Sequence, residues 1–234
     1  MTVELELRDA RAGYGTVEVL HGLDVAVPHG AVTALIGANG AGKSTTLRVL
    51  AGLLPLRQGS LTWDGTPIEK LSSFDRARRG MLLIPDERAV FASLTVRENL
   101  LLVTEGLGRG DDIDEALTTF PRLGERLPQK AGTLSGGERR MLALGRALLA
   151  RPKVLLIDEL SLGLAPRVAA ELFAWVGTLP EQGTTVVLAD QYAEAASRLA
   201  SVVYVLHRGQ RSFVGDPAEL GHDGIRAAGS DSAP

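Results

Sequence analysis

The sequence predicts an α/β fold: a parallel sheet between layers of helix, an antiparallel β lobe ahead of it, and a helical lobe inserted within it. Three observations carry this reading. The runs 154–157, 185–189 and 202–206 are apolar at successive positions, as strands covered on both faces must be. Val3, Leu5 and Leu7, and again Leu23, Val25 and Val27, alternate with neighbours of different character and read as antiparallel strands with one dry face. Between about residues 88 and 150 the apolar spacing turns helical, with helices expected over 94–103 and 141–149 and a polar loop at 106–112 between them.

Size and composition bound the rest. A chain of 234 residues suits one compact domain, 1–234, carrying an inserted lobe. Hydrophobic residues make up 45% and charged residues 23%, the balance of a globular chain rather than a disordered or fibrous one. The formal net charge of -3 argues against a broad nucleic-acid surface, and the cluster Arg76, Arg78 and Arg79 reads as a solvated helix face. With no cysteine there is neither disulfide nor thiolate metal site, and His21, His29, His207 and His222 are too scattered for a metal cluster and suit surface or turn positions. The start of the chain mixes Glu4, Glu6 and Arg8 with apolar residues, unlike a secretory signal, and no stretch approaches the roughly 18 apolar residues of a membrane span, so any membrane role is expected through a partner. The small, polar segment 227–234 reads as a frayed tail.

Taken in order, the apolar run 31–36 is a strand, a glycine-rich turn follows, and residues 44–54 place Leu47, Leu50 and Leu54 at helical spacing. The turn reads Gly37, Ala38, Asn39, Gly40, Ala41, Gly42, Lys43, Ser44, which is the phosphate-binding loop pattern in its required setting between strand and helix. Glycines let the backbone wrap a phosphate so that successive N–H groups, with Thr45 in the same first turn, point inward, and the helix end adds partial positive charge. Lys43 is placed to reach the β- and γ-phosphates of ATP, and Ser44 to put its hydroxyl on Mg²⁺.

The run 154–157 ends in Asp158 and Glu159, because a buried strand delivers its last side chains to the edge where phosphate and metal collect. Asp158 suits the metal, and Glu159 suits a general base or water-orienting role opposite the γ-phosphate. A helix at 192–200 precedes the last core strand.

A phosphate loop with an acidic strand is common to kinases, GTPases and helicases, so the narrowing string is Leu134, Ser135, Gly136, Gly137, Glu138. Ser135 and Glu138 have capping-box spacing, and the two glycines leave backbone N–H groups open to an anion. By this string, set shortly before the acidic strand, the chain resembles the ABC ATPases. The resemblance implies a P-loop NTPase core with an antiparallel β subdomain and an inserted helical subdomain, acting as an ATPase beneath a transmembrane permease. It also implies that ATP is sandwiched between Lys43 of one subunit and Ser135, Gly136 and Gly137 of its neighbour, in a homodimer or with a second ATPase subunit. Further implied positions are Tyr14, either stacking on adenine or packed as an edge tyrosine, and the segment from Ser161 to Leu164, which crosses toward the partner. Leu160 and Leu164 stand where the family usually has proline and aspartate.

Two departures narrow the resemblance. Asp86 stands where the family has a glutamine that touches metal or water; it serves there, aided by Glu87, or is an exposed acidic turn. Gln191 stands where the family has a switch histidine, and it donates to a γ-phosphate oxygen without becoming cationic. Together with the strings at 95–100, 137–142 and 161–166, these look like the ATPases of branched-chain amino-acid importers and of related urea or amide importers. The implied setting is peripheral, on the cytoplasmic face of the membrane, with a solute-binding protein on the far side. A ribosome- or DNA-directed ABC ATPase is the rival class, lacking here its tandem domain or long coiled-coil insertion, and export remains open because the motor motifs are shared.

Overall fold

The computed structural model describes residues 2–86, 89–108 and 110–228, with backbone alone at 222, 223 and 225–228. Strands β1 (Val3–Tyr14) and β2 (Val17–Pro28) precede β3 (Val32–Ile36), helix α1 (Lys43–Leu50), β4 (Gln58–Trp63) and β5 (Thr66–Pro67). Next come α2 (Ser73–Arg78), β6 (Met81–Ile84), α3 (Val96–Gly106), α4 (Asp114–Thr119), α5 (Pro121–Gly124) and α6 (Gly136–Ala150). The chain continues through β7 (Val154–Asp158), α7 (Pro166–Thr178), β8 (Thr185–Asp190), α8 (Ala193–Leu199), β9 (Val202–His207), β10 (Gln210–Gly215) and α9 (Pro217–Ala228), which bends at Gly221. Residues 227 and 228 complete α9 rather than fraying; 229–234, Glu87, the Arg88 boundary and the His222 side chain lie outside what is described.

A four-stranded antiparallel sheet runs β2-β1-β4-β5, and a six-stranded sheet runs β10-β9-β3-β8-β7-β6, parallel throughout except for β10. Strand periodicity divides the core between the two faces of the second sheet. Val32, Ala34, Leu155, Ile157, Val186 and Leu188 join the helices of one layer, while Leu35, Val154, Leu156, Val187 and Ala189 join the antiparallel sheet and α1. Asp158 continues the second series and so points toward α1, whereas Asp190 continues the first and points to the opposite face. The two sheets are tied by the Tyr204 hydroxyl, which accepts from the Ala26 N–H at 2.9 Å and donates to its carbonyl at 3.1 Å.

Helix α1 ends at Leu50, not Leu54, because Gly52 takes a left-handed φ of 74° and the Leu53 and Leu54 N–H groups turn back to the Arg48 carbonyl. The carbonyls released there are taken by an arginine expected on the surface. Arg76 is 3% exposed and donates to Val49 at 2.7 Å, Leu50 at 2.6 Å and Ile68 at 2.8 Å. The solvated-face reading of the basic cluster therefore fails at Arg76: a guanidinium has enough donors to satisfy several helix-end carbonyls at once, and that compensates its burial. Leu47 and Leu50, both fully buried, each stabilise the packing of α1 by about 2 kcal/mol.

Candidate functional site

The glycine-rich turn is held in a shape that side chains would break. Gly37 has φ 152°, and a Cβ there would sit 2.4 Å from the Leu206 carbonyl oxygen; Gly42 has φ 107°, and a Cβ would meet Leu20 at 2.9 Å. The Gly209 N–H donates to the Ala41 carbonyl at 2.9 Å, fixing the loop from beneath, while Asn39 and Gly40 form its exposed rim. The first ladder bond of α1 runs from Thr46 N–H to Gly42 at 2.8 Å, so the N–H groups of Lys43, Ser44 and Thr45 precede it at the open helix end. Lys43 is 4% exposed and curls over the loop, donating to Gly37 at 2.7 Å and Ala38 at 3.1 Å. Burial lowers its pKa, and the charges of Glu159, Asp158 and Asp190 resist that shift. A buried cation whose hydrogen bonds among the described residues go to two carbonyls is poised for an anion.

Opposite the loop, the Ser44 hydroxyl donates to Asp158 at 2.9 Å. Asp158 is 2% exposed, and burial pushes its carboxyl up to about 6, helped by nearby Asp86 and Glu159 and opposed by the Ser44 hydrogen bond. Hydroxyl and carboxylate make an all-oxygen donor pair of the kind Mg²⁺ takes, and among the described residues no group of three acids or histidines forms a protein cage. That fits a metal held jointly by few protein oxygens and by phosphate.

Glu159 adopts φ 49°, a left-handed conformation that costs on the order of 1 kcal/mol for a residue with a side chain. Both its backbone groups are clamped. Its N–H donates to Ala189 at 2.8 Å, and its carbonyl accepts from Arg140 at 2.6 Å. The same guanidinium donates to the Pro85 carbonyl at 2.8 Å, so Asp86, whose side chain is exposed, is carried on a turn anchored beside Glu159. Leu160 is fully buried.

Gln191 follows β8, half-buried, with no hydrogen bond from its side chain among the described residues. The backbone on either side of it is held by its neighbour: Asp190, 1% exposed, accepts from the Tyr192 N–H at 2.8 Å and from the Ser161 hydroxyl at 3.0 Å. The segment after the acidic strand is thereby fastened to the segment bearing Gln191. Leu162 stays 47% exposed at its tip, while Leu164 packs on the helical core beside Gly137.

Ser135 caps α6 in a complete capping box with Glu138, whose carboxyl is held below the usual range by the Ser135 N–H and hydroxyl. Among the described residues nothing lies within 4 Å of a Cβ built at Gly136. A cleft lined by Asp86, Ala92, Gly136, Arg140, Leu162 and Leu164 runs alongside. Tyr14, 43% exposed at the end of β1, accepts from Arg48 of α1 at 2.8 Å, with the guanidinium 5.9 Å from its ring centre.

Thus β3, β7 and β8 bring Lys43, Ser44, Asp158, Glu159 and Gln191 to one sheet edge, joined there by the Asp86 turn. Sequence reasoning missed Arg140, Asp190 and Ser161 as organisers of this edge. The available signal was Arg139-Arg140 directly after the capping box, two cations where the helix turns toward the core.

Residues 20–161 match the family model described as ABC transporter. The chain is 44% identical over 200 residues to the high-affinity branched-chain amino acid transport ATP-binding protein BraG of Pseudomonas aeruginosa, covering 84% of this chain and 86% of that one. It is 36% identical to the probable branched-chain amino acid transport ATP-binding protein LivF of Archaeoglobus fulgidus, over 89% and 90% of the two chains. It is also 36% identical to the Nod factor export ATP-binding protein I of Cupriavidus pinatubonensis, spanning 68% of that protein. A nucleotide-free ATP-binding cassette from an ABC transporter superposes with TM-score 0.81 at 26% identity, over 99% of this chain and 96% of the other. The ADP conformation of an ATP-binding cassette gives 0.81 at 25%, with the same coverage.

Proposed function

The chain belongs to the ABC transporter family, and from that premise we propose that it powers an importer of branched-chain amino acids from beneath a membrane-embedded permease. It is an ATPase with an ABC-type P-loop fold. The observation that carries the catalytic reading is the Ser44–Asp158 hydrogen bond, which joins phosphate loop and acidic strand at one edge.

In this reading the open N–H groups of the loop and Lys43 bind the triphosphate, and Lys43 exchanges its carbonyl partners for phosphate oxygens. Ser44 and Asp158 would hold Mg²⁺, with Asp86 reaching it through water, and the ion would supply positive charge that offsets the charge of the phosphates. Glu159 orients the attacking water and accepts its proton as the γ-phosphate passes to it, yielding ADP and phosphate. Gln191 donates to a γ-phosphate oxygen. Tyr14 offers the ring for adenine.

The second wall of the site comes from a neighbouring subunit, a copy or a related ATPase. Gly136 leaves room for it: among the described residues nothing lies beside its Cβ position, so the capped helix end is open to an approaching triphosphate. We place the subunit peripherally on the cytoplasmic face, attached through the permease. Among the described residues no helix is long and apolar enough to cross a membrane.

The cargo follows from kinship with BraG and LivF. Reconstitution with the permease and its binding protein tests it: leucine, isoleucine or valine stimulates ATP turnover. Stimulation by urea or amides alone redirects the cargo, outward transport replaces import by export, and recovery with ribosomes or DNA in place of a permease overturns the reading.

A further inference from the structure

One buried cation has no place in the reading above. Arg140 lies on α6, one turn beyond the Ser135-Gly136-Gly137 end, and is 7% exposed. Its side chain leaves the helical layer and enters the catalytic edge. Nη1 donates to Pro85 at 2.8 Å, while Nη2 donates to Glu159 at 2.6 Å and approaches the Asp86 carbonyl at 3.5 Å. Its charge faces Asp158, Asp86, Asp190 and Glu159.

These contacts are all with backbone carbonyls, which changes what the residue does. An ion pair with a carboxylate would neutralise an acid that the chemistry needs; a bond to a carbonyl fixes the peptide and leaves the carboxylate free. At Glu159 this matters because the backbone holds φ 49°, a conformation that persists only where its surroundings impose it. One side is imposed by the Ala189 carbonyl of β8, and the other by Arg140 at 2.6 Å, with the Leu162 N–H a longer second donor at 3.4 Å.

We propose that Arg140 is a positioning residue that couples the two nucleotide sites of the dimer, by tying the helix end that grips the partner's ATP to the glutamate that hydrolyses its own. A shift of α6 on engaging the partner's triphosphate is transmitted through the planar guanidinium to the Glu159 peptide and to the Asp86 turn. The proposal rests on the composite-site reading given above. Leucine or methionine could fill the same space but would take the guanidinium from both carbonyls, leaving that of Glu159 to the Leu162 N–H at 3.4 Å, and lysine would serve one of them.

The test compares Arg140→Gln and Arg140→Lys in the assembled ATPase, alone and in a Glu159→Gln background. For Arg140→Gln, kcat falls roughly ten-fold or more with the KM for ATP within about two-fold, as loss of transition-state positioning alone requires. Arg140→Lys recovers part of that loss. The Glu159→Gln, Arg140→Gln double variant still dimerises on ATP, because Arg140 does not touch nucleotide. Wild-type kcat in a folded Arg140→Gln protein overturns the proposal. So does a kcat loss accompanied by an equal fall in thermal stability and in ATP-driven dimerisation, which marks a merely structural role. Should Arg140→Gln not fold, Arg140→Lys decides alone: reduced kcat at unchanged KM and Tm supports the coupling, and wild-type kcat overturns it. Failure of Glu159→Gln itself to dimerise sinks the composite site instead, so the two failures are told apart.

Discussion

The Ser44 hydroxyl donates to Asp158 at 2.9 Å, across 114 residues of sequence, and so closes the phosphate loop against the acidic strand. In the proposed mechanism the same two oxygens would hold the metal once nucleotide is bound. Asp158→Asn keeps the size and an oxygen but loses the charge. It lowers kcat by roughly a hundred-fold or more and raises the Mg²⁺ concentration for half-maximal turnover. Steady-state ATPase assays over a Mg²⁺ series read both; unchanged Mg²⁺ dependence removes Asp158 from the metal.

Gln191 offers a neutral donor where a cationic one is conceivable. Gln191→His supplies a charge-assisted hydrogen bond, a gain on the order of 1 kcal/mol in transition-state stabilisation, or about five-fold in kcat. Gln191→Ala lowers kcat below that of the parent. Single-turnover hydrolysis separates this from product release, and an unaltered rate in both variants excludes Gln191 from the reacting phosphate.

Arg76 supports the site from behind by taking the last carbonyls of the loop helix. Arg76→Met keeps the volume but strands the Leu50 carbonyl and leaves that of Val49 to the Gly52 N–H at 3.1 Å, a loss of about 1–3 kcal/mol and a Tm lower by roughly 3–9 °C for a chain of this size. ATP with Mg²⁺ recovers part of the shift, since ligand binds only the folded loop. Scanning calorimetry with and without nucleotide measures it; a Tm within 1 °C of the parent would show the carbonyls to be satisfied otherwise.

The antiparallel lobe carries a pH-dependent contact away from the site. His29 pairs through Nδ1 with the buried carboxylate of Glu4, which also accepts from the Trp63 indole at 2.6 Å. The hydrogen bond to Glu4 first, and the charge of Glu4 second, raise the His29 pKa above 6.5. The folded value being the higher, this stabilisation is fully present below pH 6.5 and is lost as pH rises through the raised value. Urea midpoints followed by tryptophan fluorescence therefore fall as pH rises above 6.5, and His29→Gln flattens that part of the profile. An identical slope in the variant assigns the pH dependence elsewhere.

What the sequence made legible was local. The phosphate loop, the acidic strand end and the capping box depend on residue types at fixed short spacings, and each lies in the expected element. The both-face burial of β7 and β8 was equally readable from their unbroken apolar runs. The contacts of Arg76 and Arg140 were not readable, although the Arg139-Arg140 pair after the capping box marked the second position. Their partners are main-chain carbonyls far away in the chain, which leave no trace in composition, and an arginine among polar residues looks solvated until the fold brings those carbonyls to it. The early end of α1 was hidden for a related reason: Leu54 kept helical spacing while Gly52 turned the backbone.

The central claim is that one ATP is enclosed by unlike surfaces of two subunits. Light scattering on the Glu159→Gln protein, alone and mixed with a related ATPase subunit, measures this directly. The account predicts a dimer with ATP, monomers with ADP, and no dimer with ATP once Ser135→Arg blocks the capped helix end. Monomers at saturating ATP in both preparations, or an ATP dimer indifferent to Ser135→Arg, would contradict it.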